Sequence, residues 1–563
     1  MPAKDGIELN GGSAARSAKW LLAGLIAYCA FLFFFRLGSR SISDADEVRD
    51  ALTAHTMVAA GDWWTPHFDG RPAFSKPPLF FWLTGALIKA LGPSRWSIRL
   101  LPALSGMACV GALVALGRRL YGPAAGLWAG FIAATTIPFV YEHGARTGVM
   151  DSFLLALLAC GFLFLVWSLE NPRWLLVAAA VMGLASLTKN LTGLLAAAAG
   201  TAFLLRGARW RIYGPGRIAA AAAILLVLSF GWIAVMEATH SLEFRRIFFG
   251  KELVQRAFQP EKFTRRRSVP FLPGVFAFGQ TAFRGFIPWS FLVPLAGVMA
   301  LGRSRIERER DRLPALWLAV FGLTVLAVQV RFPWYAFLVD LPLALLVGRA
   351  LAESFADASP PVFPLAAASC VAAGFLFFVP NRGYDPVAAD ALVSTVRTVF
   401  WTPRPALSLA AACAAVAALA VLFRRRPRAA RTSAAAAIVL AAAALAAVPL
   451  RFSGFQSNLD RLFSVLPPGG GRVAGSLVFW RPAHSTFLFD HSVDWRLVES
   501  RSAPVREIRS SRELGQSLAD PSVLGWIVPA SQAPLVEGRP GVRELARADL
   551  DGMDYVSLAR GTP

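Results

Sequence analysis

The sequence predicts an all-α polytopic membrane protein of about thirteen transmembrane helices, followed by a small α/β domain. Three observations carry this. Of 563 residues, 56% are apolar and only 16% charged, and the mean hydropathy is +0.52, values outside the range of soluble globular chains. Leu- and Ala-rich runs, each near the ~20 residues needed to cross a hydrocarbon core, recur from residue 20 to about residue 450. Beyond residue 450 the runs stop and short β-like stretches take their place.

Taken in order, the spans are expected near 20–37, 99–117, 123–142, 150–169, 174–188, 190–206, 217–237, 283–302, 314–330, 335–353, 362–379, 405–423 and 433–450. The first has no small-residue cleavage site and reads as a signal anchor. The basic stretches "RR" at 118–119, "RGARWR" at 206–211, "RSRIERERDR" at 303–312 and "RRRPRAAR" at 424–431 fall on one side of this scheme, which the positive-inside rule makes cytoplasmic. An odd number of spans then puts residues 451–563 outside. That tail holds 13 Arg against 12 Asp and Glu, so the net charge of +22 belongs to the membrane part. Its segments "GRVAGSLVFW", "WRLVES" and "VLGWIVPAS" read as strands and "SSRELGQSLAD" as a capped helix. A substrate-gathering module and a stabilising lid are both open for this domain.

The five cysteines, Cys29, Cys109, Cys160, Cys370 and Cys413, all lie in apolar runs, so neither a disulfide framework nor a zinc site is indicated.

Two outer loops break the charge rule. Residues 38–98, with Arg99 at their end, carry Arg40, Arg49, Arg71, Lys76, Arg95 and Arg99, and the loop 238–282 contains Arg245, Arg246, Lys251, Arg256, Lys262 and "RRR" at 265–267. Cations kept on the outer face against the orientation bias need an anionic partner, and phosphate at the membrane surface supplies one. Acidic lipid is the alternative partner for the "RRR" run. Within 38–98, "VRDALTAHTMVAAGDWW" and "PPLFFWLTGALIKALG" read as helices lying in the interface, with Trp63, Trp64 and Trp82 at that depth. In front of them come Asp44, Asp46 and Glu47. As single residues these read as loop acids or a helix N-cap, but carboxylates at the lipid boundary also mark functional sites.

The stretch "DADEVRDALTAHTMVAAGDWWTPHFDGRPAFSKPPLFFWL" resembles the first outer loop of GT-C glycosyltransferases of the aminoarabinose transferase and protein O-mannosyltransferase type. The matching pieces are Asp46-Glu47, Gly61-Asp62-Trp63, Pro66 and Lys76-Pro77. Further pieces follow in order: "RLLPALSG" at 99–106, "ARTGVMDSFLL" at 145–155, "LTKNLTGLL" at 187–195, "PWSFLVPL" at 288–295 and "RFPWYAFLVDLP" at 331–342. Each piece is short, and the ordered set is specific.

The resemblance implies a GT-C-like transmembrane catalytic domain over 1–450 and an exoplasmic domain over 451–563. It implies transfer of a sugar from a polyprenyl-phosphate donor to an exoplasmic acceptor, a lipid A-like lipid, a glycan or a protein, with inversion at the anomeric carbon. Nucleic acid has no part in it. By position, Asp46 is the catalytic base, Glu47 stands beside it and Asp151 is a second acid. Lys76, Lys189, Arg245, Arg246, Arg256, Arg331 and Tyr335 are candidate substrate-binding residues. For Lys189 snorkelling from a span end is the alternative, and for Tyr335 an interfacial anchor. Relatives that hold a metal have a Glu before the loop lysine and a His in the later basic loop. Ser75 and Leu253 stand there instead, so no metal cofactor is expected. Asp50 replaces a frequent aromatic residue, and Asn190 a frequent Gly. Asp340, inside an apolar run, is expected to pair with a neighbouring helix.

A multi-pass cell-membrane protein could instead be a lipid or solute transporter or flippase, with Lys189, Glu237 and Asp340 on its path. That class predicts internal repeats, and none is visible. A non-catalytic scaffold would leave the joint placement of Asp46 and Asp151 without a reason.

Overall fold

The computed structural model describes residues 11–259 except 43, then 271–286, 289–356, parts of 436–447, and 476–480, 505–508, 510–550 and 553–560. The expected spans at 362–379 and 405–423, most of that at 433–450, and the "RRR" run lie outside the described residues.

The helices follow the apolar runs. In order they are α1 (Gly11–Phe34), α2 (Ala45–Ala60), α3 (Leu79–Leu91), α4 (Arg95–Tyr121), α5 (Pro123–Thr135), α6 (Ile137–Tyr141), α7 (Asp151–Trp167), α8 (Trp174–Thr188), α9 (Thr192–Leu205) and α10 (Pro215–Phe244). A π-helix, Arg245–Gln255, and a single turn, α11 (Arg256–Phe258), extend α10. Then come α12 (Phe271–Gly285), α13 (Val293–Gly302), α14 (Arg305–Ala327) and α15 (Phe337–Ala356). Among the described residues four helical stretches are long and apolar enough to cross a bilayer, and six apolar helices are shorter.

The two segments expected in the interface are α2 and α3. Asp44 caps α2, accepting from the Asp46 N–H at 2.7 Å and the Glu47 N–H at 3.3 Å. Gly61, at φ 71°, ends it in the left-handed conformation that glycine adopts without strain. Between the helices lies a two-stranded hairpin, β1 (His67–Phe68) and β2 (Arg71–Pro72).

Three expectations change. The basic segment after residue 238 is helical rather than a loop, because Phe244 and Phe248, one turn apart, stack at 5.0 Å and bury against Trp232 and Phe74. A kink at Ser241 turns this extension away from the axis of α10. The single span at 283–302 is replaced by α12, a 3₁₀ turn (Trp289–Leu292) and the short α13. Finally, the basic run at 303–312 forms the first turns of α14, because Ser304 and Glu307 make a capping box there.

The core gathers α1, α4, α5, α7, α8, α9, α14 and α15 around Leu113, Phe162, Trp317 and Leu345. Glycine permits its closest approaches. A Cβ at Gly126 would lie 2.4 Å from the Val114 carbonyl oxygen, and one at Gly348 2.8 Å from the Ala129 N. Thus α4, α5 and α15 meet backbone to backbone, as small residues allow where water drives no helix association.

In the C-terminal part a sheet of order β4-β3-β5-β7-β6 is built from β3 (Ser476–Trp480), β4 (Val505–Ile508), β5 (Val523–Pro529), β6 (Val542–Leu550) and β7 (Met553–Arg560). The pairs β3/β4 and β3/β5 are parallel, β5/β7 and β6/β7 antiparallel. The helix α16 (Ser511–Ala519), capped by Ser510, packs Leu514 with Trp526 and Val556. The stretch "WRLVES" lies outside the described residues. Strands β4, β6 and β7 were not anticipated.

Gly126→Ala is expected to destabilise the protein by about 3 kcal/mol, because the backbone it meets cannot give way. Gly111→Ala on α4, whose Cβ would meet nothing within 4 Å, should be tolerated. Thermal unfolding of both variants in neutral detergent checks the contrast.

Candidate functional site

The site grows from the N-terminus of α2. Because Asp46 and Glu47 are neighbours on one helix, their side chains leave in different directions. Glu47 turns inward and is fully buried. Its oxygens accept from Arg99 Nε at 2.6 Å and Nη2 at 3.0 Å, and Oε1 also accepts the Gly148 N–H at 2.7 Å. Arg99 in turn donates to the carbonyls of Leu37, Arg40 and Ser41. This fork-and-carboxylate pair ties α4, the chain leaving α1 and the loop before α7 to the first turn of α2. Removing one partner of such a buried pair costs roughly 3–5 kcal/mol.

Asp46 points the other way and remains about a quarter exposed, 26% at the side chain. Arg49 Nη1 lies 2.8 Å from its Oδ1 and Lys76 Nζ 3.9 Å from its Oδ2. Asp50, one turn further, is wholly buried. Both its oxygens lie 3.1 Å from Lys76 Nζ, and Arg49 donates to Oδ1. Burial opposes the charge on Asp46, but Arg49 and Lys76, helped by His143 and Lys189, outweigh it and hold the carboxyl far below the usual range.

A second chain of charges meets the first. The turn after α6 holds His143 at φ 51° and sets its ring between two acids. Nε2 is 3.0 Å from Asp44 Oδ2, and Nδ1 is 3.1 Å from Asp151 Oδ2. Burial disfavours the imidazolium, yet the Asp44 charge and the hydrogen bonds to both carboxylates raise it to about 10. Lys189 completes the chain by donating to Asp151 Oδ1. It reaches there from the break between α8 and α9, where Asn190 adopts φ 27°. That backbone suits Asn or Gly.

An aromatic stack covers the ensemble. The His143 ring lies 3.8 Å from that of Trp334 at 8°, and Trp334 stacks on Phe332 at 4.7 Å. Arg256 lies over Phe332, and Lys189 sits 5.8 Å from the Tyr335 ring centroid. Tyr335 also feels the charges of Arg256, Asp151, Glu252 and Asp46.

The structure therefore brings Asp46, Asp151, Lys76, Lys189, Tyr335 and Arg256 together. Arg256 is paired with Glu252 at 2.8 Å. Glu47 faces away into the Arg99 clamp. Arg245 is exposed, pairs with Glu237, and borders an open apolar groove of about 610 Å³ lined by Phe230, Ile233, Ala234 and Phe249. Arg246 is exposed on the π-helix. Arg331 is buried and donates to the carbonyls of Val325 and Leu326 at the end of α14. Asp340 is buried, and its Oδ2 finds no hydrogen-bond partner among the described residues, so the expected pairing is not seen there. Among those residues no group of three or more His, Cys, Asp or Glu is placed to hold a metal.

Sequence reasoning gave no role to His143 or Trp334, counted Arg49 only among the basic residues of the outer loop, and noted Asp50 only as a departure from the family pattern. A lone histidine in a short loop carries no periodic signal, and Arg49 and Asp50 lie in plain sight, one turn beyond Asp46.

Comparison with known proteins agrees with this architecture. Residues 75–233 match the family model described as dolichyl-phosphate-mannose-protein mannosyltransferase. An undecaprenyl phosphate-α-4-amino-4-deoxy-L-arabinose arabinosyl transferase of Pseudomonas aeruginosa is 28% identical over 345 residues, 58% of this chain and 59% of that protein. A second, from Pseudomonas fluorescens, is 27% identical over 60% of each chain. The chain thus spans about 60% of the length of the curated relatives it matches. The crystal structure of ArnT from Cupriavidus metallidurans bound to undecaprenyl phosphate superposes with a TM-score of 0.63, covering 97% of this chain and 99% of that one at 20% identity. The chain has the fold of that enzyme and, as its sequence motifs indicated, resembles the GT-C glycosyltransferases of the aminoarabinose transferase and protein O-mannosyltransferase type.

Proposed function

We propose that this protein transfers a sugar from a polyprenyl-phosphate donor to a hydroxyl of an exoplasmic acceptor, a lipid A-like lipid, a glycan or a protein, with inversion at the anomeric carbon. The observation that carries the reading is one partly exposed carboxylate, Asp46, among four cations, Arg49, Lys76, His143 and Lys189. A leaving phosphate needs fixed positive charge, and an attacking hydroxyl needs a proton acceptor. The site offers both around the first turn of α2, the lysines and His143 reaching it from other segments. We place it at the outer face of the cell membrane, with a cytoplasmic N-terminus and the 451–563 domain outside.

In this reading the donor phosphate docks on Lys76 and Lys189, with Arg256 and Tyr335 on its flank. Its negative charge offsets the cations around Asp46 and so raises the proton affinity of a carboxylate that is a poor base in the empty site. Asp46 becomes a competent acceptor when the donor is bound. As the glycosidic C–O bond breaks, the bonding pair leaves with the phosphate oxygen. The acceptor oxygen attacks the opposite face of the anomeric carbon, and its proton passes to Asp46. Asp151, neutralised by Lys189 and His143, orders those two cations. Glu47 acts through Arg99 by fixing the start of α2. The groove beside Arg245 suits an isoprenoid chain, and the exposed Arg246 suits anionic headgroups at the surface.

The transporter alternative gains nothing from the relatives, which are glycosyl transferases by name.

Asp46→Asn is expected to lower turnover by at least about 10²-fold, since the amide cannot take the proton. The check is purified protein, a synthetic polyprenyl-phosphate sugar and gel filtration as a folding control. Near-normal turnover would remove Asp46 from the mechanism.

Transfer should also survive a strong chelator, because Ser75 and Leu253 offer no metal ligands where metal-holding relatives have them. Loss of activity on chelation, restored by zinc or magnesium, would contradict this.

His143, raised from 6.5 to about 10, contributes stability that is complete below pH 6.5 and disappears as pH rises through about 10. The gap in thermal midpoint between wild type and His143→Gln should be widest at pH 6 and shrink steadily from pH 6.5 to 10. A gap independent of pH would show that the ring binds its proton no more tightly in the folded protein than in the unfolded chain.

A further inference from the structure

Asp50 has no solvent exposure, yet the cations it holds do. The side-chain exposures are 0% for Asp50, 14% for Lys76 and 27% for Arg49. The carboxylate thus sits behind the cations, and they face the site. Both its oxygens are 3.1 Å from Lys76 Nζ, so these contacts occupy at most two of the three N–H groups of the ammonium. Arg49 bridges the pair of acids, 2.8 Å from Asp46 and 3.2 Å from Asp50. The four groups sum to zero charge.

A cation already neutralised from behind holds an incoming anion more weakly than a bare one does, because the buried carboxylate repels that anion through a poorly screened interior. We propose that Asp50 is a positioning residue that acts through Lys76 as an electrostatic counterweight, holding the ammonium toward the site while limiting its grip on phosphate so that the polyprenyl phosphate product can leave. The proposal rests on the reading of Lys76 as a ligand of the carrier phosphate. It gives a reason for a carboxyl group buried behind the lysine. Here the space behind the lysine is filled by charge.

The experiment is equilibrium binding and dissociation of undecaprenyl phosphate, without sugar, on the purified full-length protein in neutral detergent. Asp50→Asn and the smaller Asp50→Ser should bind it at least tenfold more tightly and release it correspondingly more slowly. Asp50→Glu, which keeps the charge, should behave like wild type, and Lys76→Met should bind at least tenfold more weakly. A purely structural role for Asp50 predicts weaker binding in both neutral variants. Unchanged or weaker binding in whichever neutral variant elutes as folded protein, with Lys76→Met impaired, overturns the counterweight alone. Equal affinity in wild type and Lys76→Met overturns the reading of Lys76, and the counterweight with it.

Discussion

A carboxylate withdrawn from water needs its counter-charge beside it, and the polar end of this protein is organised around that constraint. Glu47 is the most complete case. With none of its surface exposed, it is matched by the Arg99 fork and by the Gly148 N–H. Because Arg99 also gathers the carbonyls of Leu37, Arg40 and Ser41, one ion pair fixes where the first helix of the site begins and how the preceding residue, Asp46, is aimed. An ion pair of this kind adds little net stability over a well-packed apolar replacement. What it provides here is registry among three chain segments that lie 52 and 101 residues apart in sequence.

From that anchor two chains of alternating charge run through the site. One passes from Asp46 through Arg49 and Asp50 to Lys76, the other from Asp44 through His143 and Asp151 to Lys189. Each acid has a cation on either hand or behind it, so neither chain carries a large uncompensated charge. The arrangement has a chemical consequence. The cations are oriented before any substrate arrives, so little reorganisation is needed when negative charge develops on a leaving phosphate. The stack of His143, Trp334 and Phe332 places a flat apolar wall against the same groups, which keeps their electrostatic interactions strong.

The sequence displayed this architecture unevenly. The apolar runs foretold most helices, and the ordered motifs from Asp46 to "RFPWYAFLVDLP" foretold the fold. Local rules decided much of the rest: Asp44 as an N-cap, Ser304 with Glu307 as a capping box, Ser510 before a short helix. Glu47 adjoins Asp46 in sequence but is turned away from it in the fold. Its burial depends on Arg99, a partner 52 residues away that no local pattern announces. His143 was hidden for the same reason, since its importance comes from two acids and a tryptophan supplied by three other segments. The basic segment after residue 238 read as a loop because its charges masked a helical ladder of Phe244 and Phe248. Asp50 was noticed only as a departure, although its spacing of four residues from Asp46 already places both on one face of α2.

The structure of this protein in lipid with undecaprenyl phosphate bound tests the account most directly. The account predicts the phosphate within about 2.7–3.2 Å of Lys76 Nζ, with the Lys76–Asp50 contact kept behind it and Asp46 facing the oxygen from which the sugar would leave. A phosphate seated instead at Arg245, beside the groove of Phe230 and Phe249, with Lys76 untouched, would contradict it.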